Sequence, residues 1–576
     1  MSVIRKIEIL NFRGIAKLLW LPSPGINCLI GPGDSGKSSI LDAIDLCLGA
    51  RRNVQITDVD FHNLNVAIPI QITVTIGKLD DALKNIDIYG LYLHGFNLKT
   101  GEISEEPEID LETVLTVRLT IEGDLEPNWT LVSDRANTQS QSRNLNWSDR
   151  IRLAPTRLGT ITEYNLSWRH GSILNRVSEE RADASEALVR AARDVRAAFG
   201  EKAKAQLGET LEIVAKTAKD LGIPVGSEVK AMLDAHSVSF SGGTISLHDE
   251  NGVPLRGLGV GSTRLLIAGL QRYAAKQASM ILIDELEHGL EPHRIMRLLD
   301  ALGAKEKLPP LQVFMTTHSP VAVRELSGEQ LFVIRRLHDH HEASRVVSAD
   351  EVQGTIRLYP EALLALSVIV CEGASEVGLL RGLDQLRIKN GETSITACAV
   401  AIVDGGGNTT FKRARAFQLL GYRTAVLRDS DVQQTPELET EFKNNCGSIF
   451  CWREKYALED ELFLSLSNTG VSGLLKQAID IKEESLVNDH IKTASKNGKD
   501  LNAILNELKS NDGILQDSRV ILGKASRHKE ARKSWFKSVS AMEVVARDVI
   551  GPDLDKADSR FKVIIDQIFE WIANAK

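Results

Sequence analysis

Cysteine is scarce in this chain, six among 576 residues, at positions 28, 47, 371, 398, 446 and 451, and none forms a Cys-x-x-Cys pair. A disulfide framework and a cysteine zinc site are therefore not expected. Long apolar runs are also missing, since no stretch reaches the roughly 18 to 20 residues of a membrane-spanning helix. The opening Met-Ser-Val-Ile-Arg-Lys-Ile-Glu passes directly into a strand pattern without a signal-peptide core. The expectation is a cytoplasmic protein with no membrane partner. Excess positive charge is absent too: a net charge of −8 excludes a surface coated for nucleic acid and leaves only local basic patches. The remainder, 43% hydrophobic and 25% charged, is ordinary for globular protein, and the length suggests roughly three or four domains.

Against this background one segment stands out. Gly31-Pro32-Gly33-Asp34-Ser35-Gly36-Lys37-Ser38, followed by Ser39, has a glycine, four free positions and Gly-Lys-Ser between an apolar strand (25–30) and an amphipathic helix (39–48). Glycines let successive N–H groups turn toward one anion, and the helix start adds its positive end. Lys37 is expected to reach the outer phosphates of a nucleoside triphosphate and Ser38 to hold Mg²⁺. Completing elements follow in order. The apolar strand Met280 to Ile283 ends in Asp284, a candidate for the Mg²⁺ shell, and Glu285, a candidate to polarise the attacking water. A second strand, Leu311 to Met315, runs into Thr316-Thr317-His318, where His318 is placed to sense the terminal phosphate. Gly257 to Arg264, with Ser262, opens a helix as a second anion-binding start.

Between these elements the pattern changes. Residues 4–12, 68–76 and 114–121 alternate like strands of a half-exposed sheet, whereas 172–228 is alanine-rich, highly charged and free of proline until Pro224. That stretch reads equally as a solvated helix pair or as an inserted dimerisation arm. Residues 335–342, with His338, His340 and His341, suit a surface turn, and no acidic or cysteine partner is spaced to make them a metal site.

Beyond about residue 360 a new domain begins. The strand Leu366 to Cys371 ends in Glu372, and Glu376 lies one helical turn on; the strand Arg423 to Leu427 leads to Asp429 and Asp431. Four acids at the carboxyl edge of a parallel sheet repel one another, which hard divalent ions such as Mg²⁺ or Mn²⁺ resolve. Two such ions suit phosphodiester cleavage. Asp404 belongs either to this cluster or to a glycine turn. Residues 524–537 hold six Lys or Arg against one Glu, with Trp535 and Phe536 embedded, and read as a DNA-phosphate patch with a nearby aromatic or as a solvated helix face.

The nucleotide motifs, with the opening Leu10-Asn11-Phe12-Arg13-Gly14, resemble the ABC-type ATPase heads of the RecF, SMC and OLD (overcoming lysogenization defect) group. In that group the arginine corresponding to Arg13 contacts nucleotide, and two heads sandwich ATP, so Ser262 would act on the partner's nucleotide. Gly33 stands where asparagine is common, and Gly259 to Thr263 copies the Leu-Ser-Gly-Gly-Gln signature poorly. The glutamate followed by Asp-x-Asp resembles a TOPRIM domain, and the order of the two resembles OLD-family nucleases. The resemblance implies an α/β chain: an ABC/RecF-type P-loop ATPase domain (1–350) with a helical insertion (172–228), then a TOPRIM α/β nuclease domain (360–576). It further implies a metal-binding acid at Glu459, beside Asp460 and Glu461, and a lysine at the scissile phosphate, Lys537 with Lys533 as fallback. The implied function is an ATP-regulated, Mg²⁺- or Mn²⁺-dependent DNA endonuclease with Glu285, Glu372, Asp429, Asp431 and Lys537 catalytic. It would be a homodimer or higher homo-oligomer in antiphage defence, with a helicase or reverse-transcriptase partner system as in Gabija-type defence. The rivals are a RecF-like DNA-repair ATPase without nuclease activity and a primase or topoisomerase.

Overall fold

The computed structural model describes residues 2–50, 54–159, 258–273, 279–346, 350–431, 436–510, 513–528, 530 and 533–574, with isolated positions between 160 and 257. The helical segment expected at 172–228, and Gly257, lie outside the described residues. The chain divides into two compact units, Met1–Leu29 with Gly36–Ala322 and Arg336–Ala343, and Ile30–Ser35 with Val323–Arg335 and Ser344–Lys576. Among the described residues no helix is long and apolar enough to cross a membrane.

The strands of the first unit pair in two ways. Strands β1 (Val3–Phe12), β2 (Ile15–Trp20), β4 (Ile70–Gly77), β5 (Leu93–Phe96), β6 (Ile103–Ser104) and β7 (Glu112–Ile121) run antiparallel in the order β6-β5-β7-β4-β1-β2, and β8 (Pro127–Leu131) pairs with β7. Charged and apolar residues alternate along β1 because one face meets the core and the other water. Strands β3 (Ile26–Ile30), β9 (Thr156–Leu158), β10 (Met280–Ile283) and β11 (Gln312–Thr316) run parallel in the order β3-β11-β10-β9. Their central members are apolar without alternation and wholly buried, as expected of strands covered on both faces. Asn27, Gln312 and Thr316 are the polar exceptions, and Gln312 shows how one is accommodated. It is 2% exposed and satisfied, accepting from Ile4 N at 2.7 Å and donating to Ile4 O and Ser23 O at 3.0 and 2.8 Å.

After β12 (Leu331–Arg336) comes β13 (His341–Arg345), parallel to β2 at His341. The expected histidine turn is thus shorter than the sequence suggests. His338 and His340 are exposed, whereas His341 is 4% exposed, its ring close to Gly36. Burial holds its pKa below the ordinary histidine value.

In the second unit, β14 (Ser367–Cys371), β15 (Val400–Asp404), β16 (Arg423–Arg428) and β17 (Ser448–Cys451) form a parallel sheet in the order β15-β14-β16-β17. The chain starts inside the sheet, steps to one edge, then returns past its start. That reversal creates a switch point between β14 and β16, where open α/β sheets bind ligands outside the carboxyl ends of their strands. Helices including Ala374–Lys389, Leu458–Ser465 and Gln516–Ser526 complete the unit, with Leu379, Leu427, Leu462, Phe463, Trp535 and Phe536 in one apolar core.

Candidate functional sites

The phosphate-loop segment connects β3 to helix Lys37–Leu48, whose Ile40, Leu41, Ile44 and Leu48 are buried at helical spacing. Three loop residues adopt left-handed conformations, Gly31 at φ 132°, Asp34 at 57° and Gly36 at 85°. At Gly31 a Cβ would fall 2.6 Å from Ile334 O, so glycine is required there for space as well as for φ. Gly33 is exposed with nothing within 4 Å of an added Cβ, so glycine is not required there by space. Lys37 is buried at 5% exposure, as is Ser35, while Ser39 is partly buried.

Ser38 and Asp284, distant in sequence, meet: Ser38 Oγ donates to Asp284 Oδ1 at 3.0 Å. Thr316, at the end of β11, donates to the same oxygen at 2.6 Å and accepts from Glu285 N at 2.8 Å. Glu285 has φ 48°, a left-handed value costly for a residue with a Cβ, and its side chain is exposed. That backbone is held by Arg264, 1% exposed, whose guanidinium donates to the carbonyls of Asp284 and Glu285 at 2.8 Å and of His288 at 3.0 Å. Glu287 secures the neighbouring loop, accepting from Thr317 Oγ1 at 2.6 Å and from His318 N at 2.7 Å, which leaves the His318 side chain exposed.

Sequence reading passed over Arg264, Glu287 and Thr316 in any such role. Ser262 lies at the start of helix Val260–Tyr273 and accepts from Arg294 Nη1 at 3.1 Å. Gly261 lets that helix approach the acidic turn, since a Cβ there would be 2.4 Å from Gly289 O. Arg13 is bound by two carboxylates, pairing with Asp42 and with Asp60 at 2.9 Å.

In the second unit the acids gather at the switch point. Glu372 follows β14 and Asp429 follows β16; Glu372 N donates to Leu427 O at 2.8 Å and Asp429 N to Glu372 Oε2 at 3.0 Å. Glu376, 3% exposed, accepts from Gly373 N at 3.0 Å; Glu459, 4% exposed, accepts from Ser375 Oγ at 3.2 Å. Burial, then the charges of Glu459, Glu372 and Asp431, pushes Asp429 up to about 8. Burial, then Asp429, Glu459 and Glu372, holds Glu376 well above the carboxylate range. Burial raises Glu459 against the pull of Lys537. Burial also raises Glu372, opposed by its bond from Asp429 N and by Arg428 and Lys537.

Among the described residues no three acidic, histidine or cysteine side chains converge as ligands of one ion do. The cluster is a set of repelling carboxylates, each tied to a neighbour, with hard oxygens that suit Mg²⁺ or Mn²⁺ in kind and charge. Of three consecutive acids on one helix, Glu459 faces this cluster. Asp460 pairs with Arg527 at 3.0 Å, and the fully buried Glu461 pairs with Arg453 at 3.1 Å. Asp404 accepts from Gly406 N at 2.8 Å, the geometry of a glycine turn.

The basic segment departs from its helix-face reading. Helix Gln516–Ser526 ends before most of it, so it is not a helix face. Trp535 and Phe536, at 1% and 0% exposure, are core anchors and unavailable to stack on a base; Trp535 Nε1 donates to His490 Nδ1 at 3.1 Å. Apolar rings next to lysines lower their free energy most by burial, and the chain turns to leave the charges outside. Lys533 pairs with Glu530 at 2.9 Å, whereas the exposed Lys537 acts electrostatically on Glu372 and Glu459.

Comparison with known proteins gives a family match in each part of the chain. Residues 26–324 match a family described as "AAA domain, putative AbiEii toxin, Type IV TA system", and residues 363–431 match the TOPRIM domain of overcoming-lysogenization-defect-like proteins. Glu459 and Lys537 lie beyond both matches. A 42-residue stretch is 50% identical to the DNA replication and repair protein RecF of Prosthecochloris aestuarii, covering 7% of this chain and only 11% of that protein. Two SMC head domains are similar in structure. That of Pyrococcus furiosus, solved bound to the C-terminal domain of ScpA, has 15% identity and a TM-score of 0.34, covering 63% of this chain and 99% of the other. That of Thermotoga maritima has 13% identity and a TM-score of 0.26, covering 60% and 99%. At those scores neither adds to the fold assignment, which rests on the family matches and the sheet topology. With just over half its length in the first match, the chain belongs to that AAA-domain family and carries an OLD-like TOPRIM domain behind it, the arrangement of an OLD-family nuclease.

Proposed function

We propose that this protein is an ATP-regulated, divalent-metal-dependent DNA endonuclease. The observation that carries the reading is the gathering of Glu372, Glu376, Asp429 and Glu459 at one switch point, with Asp429 N bonded to Glu372 and both Glu376 and Glu459 buried; burial first, and then neighbouring carboxylates, raise Glu372, Glu376 and Asp429. A structural role gives no reason to keep such a cluster without paired cations, because replacing it by apolar residues would be stabilising. Glu372, Glu376, Asp429, Asp431 and Glu459 would hold the Mg²⁺ or Mn²⁺, which supplies positive charge at the scissile phosphate when bound. Lys537, exposed at the edge of the cluster, stabilises the charge that develops on the phosphate oxygens.

For ATP, the N–H groups from Gly31 through Gly36 cradle the phosphates, with Gly33, Asp34 and Ser35 in the loop, and Lys37 neutralises the outer ones. Ser38 and Asp284 share the Mg²⁺ shell, Glu285 orients the attacking water and His318 reads the terminal phosphate. Ser262, at a helix start, acts on a second copy's nucleotide, so the working form is a homodimer or larger. Arg13 contributes to nucleotide binding on exchange of its carboxylate partners. Antiphage defence, with a helicase or reverse-transcriptase partner system, is the setting we propose.

Supercoiled plasmid incubated with Mn²⁺ or Mg²⁺, with and without ATP, tests the reading on wild type and Glu372→Gln. Nicking or linearisation by wild type alone is expected, and the ATP arm gives the sign of control. Intact plasmid in every condition would favour the RecF-like ATPase.

A further inference from the structure

One cation at the acidic cluster has no part in the scheme above. Arg527 follows helix Gln516–Ser526, and Gly523 on that helix packs directly on Asp460: an added Cβ would lie 2.7 Å from Asp460 Oδ1 and 3.0 Å from its Cα. This close approach brings the guanidinium to two carboxylates on different elements. Nη1 donates to Asp431 Oδ2 at 3.0 Å, and Nη2 lies 3.0 Å from Asp460 Oδ2. The two partners differ. The Asp460 side chain is 6% exposed and also accepts from Ala457 N at 3.2 Å, so it is a fixed anchor, whereas Asp431 is 30% exposed on the open side. Arg527 therefore has a planar fork fixed at one prong and engaged at the other by the second aspartate of the Asp-x-Asp. Its charge also lowers the pKa of Glu459.

We infer that Arg527 is a built-in competitor of the divalent ion for Asp431, the carboxylate it must yield for the ion to bind there. The inference rests on the nuclease reading. An oxygen accepting from a guanidinium has less electron density to offer a hard cation, and a fixed positive charge beside the site opposes a second cation. Both effects weaken metal binding. A metal threshold set in this way keeps the cluster compact when empty and limits occupancy at low metal.

The test is Mn²⁺ titration of the full chain followed by electron paramagnetic resonance, without nucleotide or DNA. Asp429→Asn identifies the Mn²⁺ population bound at the cluster. In Arg527→Gln that population should bind at least about fivefold tighter, and the gain should vanish when Asp431→Asn is added. Arg527→Lys keeps the charge but cannot span both carboxylates, so it should fall between wild type and Arg527→Gln, and it decides the matter if Arg527→Gln does not fold. Cluster affinity unchanged or weakened in these variants overturns the proposal alone. Identical Mn²⁺ binding by wild type and Asp429→Asn overturns the metal-site reading, and the proposal with it.

Discussion

The two candidate sites handle charge in opposite ways. At the nucleotide site the acids are held apart: Asp284 accepts from Ser38 and Thr316, Glu285 points to solvent, and the phosphate loop turns through left-handed Gly31, Asp34 and Gly36. At the TOPRIM switch point the acids are buried against one another, and burial with mutual repulsion raises the pKa of Glu376 and Asp429. The first site stores its specificity in backbone geometry and the second in electrostatic repulsion. Loss of one side chain should accordingly slow chemistry at the first and change cation binding and stability at the second.

The largest expected effect is at the first site. Glu285→Gln should lower ATP turnover by about 10²-fold or more with nucleotide still bound; steady-state hydrolysis and nucleotide filter binding measure the two. Normal turnover would remove Glu285 from the chemistry. In the second unit, structural acids should separate cleanly from the cluster. Arg453→Met leaves the fully buried Glu461 without its cation, and thermal unfolding should report a loss of about 3 kcal/mol.

A smaller change tests the strained turn. A lysine donates from a single nitrogen and cannot span the carbonyls of Asp284, Glu285 and His288 that the two terminal nitrogens of Arg264 reach, so Arg264→Lys should lower kcat for ATP about tenfold while nucleotide affinity stays. An equal loss in affinity would make Arg264 a general packing residue. The smallest effect concerns pH. Asp429, raised from 3.8 to about 8, holds a proton in the folded metal-free chain that the unfolded chain has released. Its contribution to stability is complete below about pH 4 and is lost as pH rises through about 8. Saturating Mn²⁺ should therefore raise the melting temperature more above pH 8 than below about pH 6, by an amount corresponding to roughly 1 to 3 kcal/mol. Asp429→Asn should remove that difference.

How legible each site is in the sequence follows from the same contrast. The phosphate loop is contiguous, Asp284 directly follows the apolar strand Met280–Ile283, and His318 stands two residues after β11, so spacing singles them out as candidates. Arg264, Glu287 and Thr316 stayed hidden because their partners are backbone atoms or loop groups some 20 to 32 residues away, and no side-chain pattern records such bonds. Strands β14 and β16 and their terminal acids are readable, yet the choice among Glu459, Asp460 and Glu461 is not. Successive helix positions turn by about 100°, and only packing sets the phase. The same holds for Trp535 and Phe536, where composition gives aromatics among lysines and the fold decides which of them meets water. The poor Leu-Ser-Gly-Gly-Gln likeness proved less informative than its glycine, since Gly261 is needed for close approach to Gly289.

The most direct test measures both reactions on the same preparations: ATP hydrolysis and plasmid cleavage by wild type, Lys37→Ala and Asp429→Asn, with Mn²⁺ and ATP present. The account predicts that Asp429→Asn hydrolyses ATP at close to the wild-type rate and leaves plasmid intact, while Lys37→Ala hydrolyses none. Cleavage by Asp429→Asn equal to wild type would contradict it.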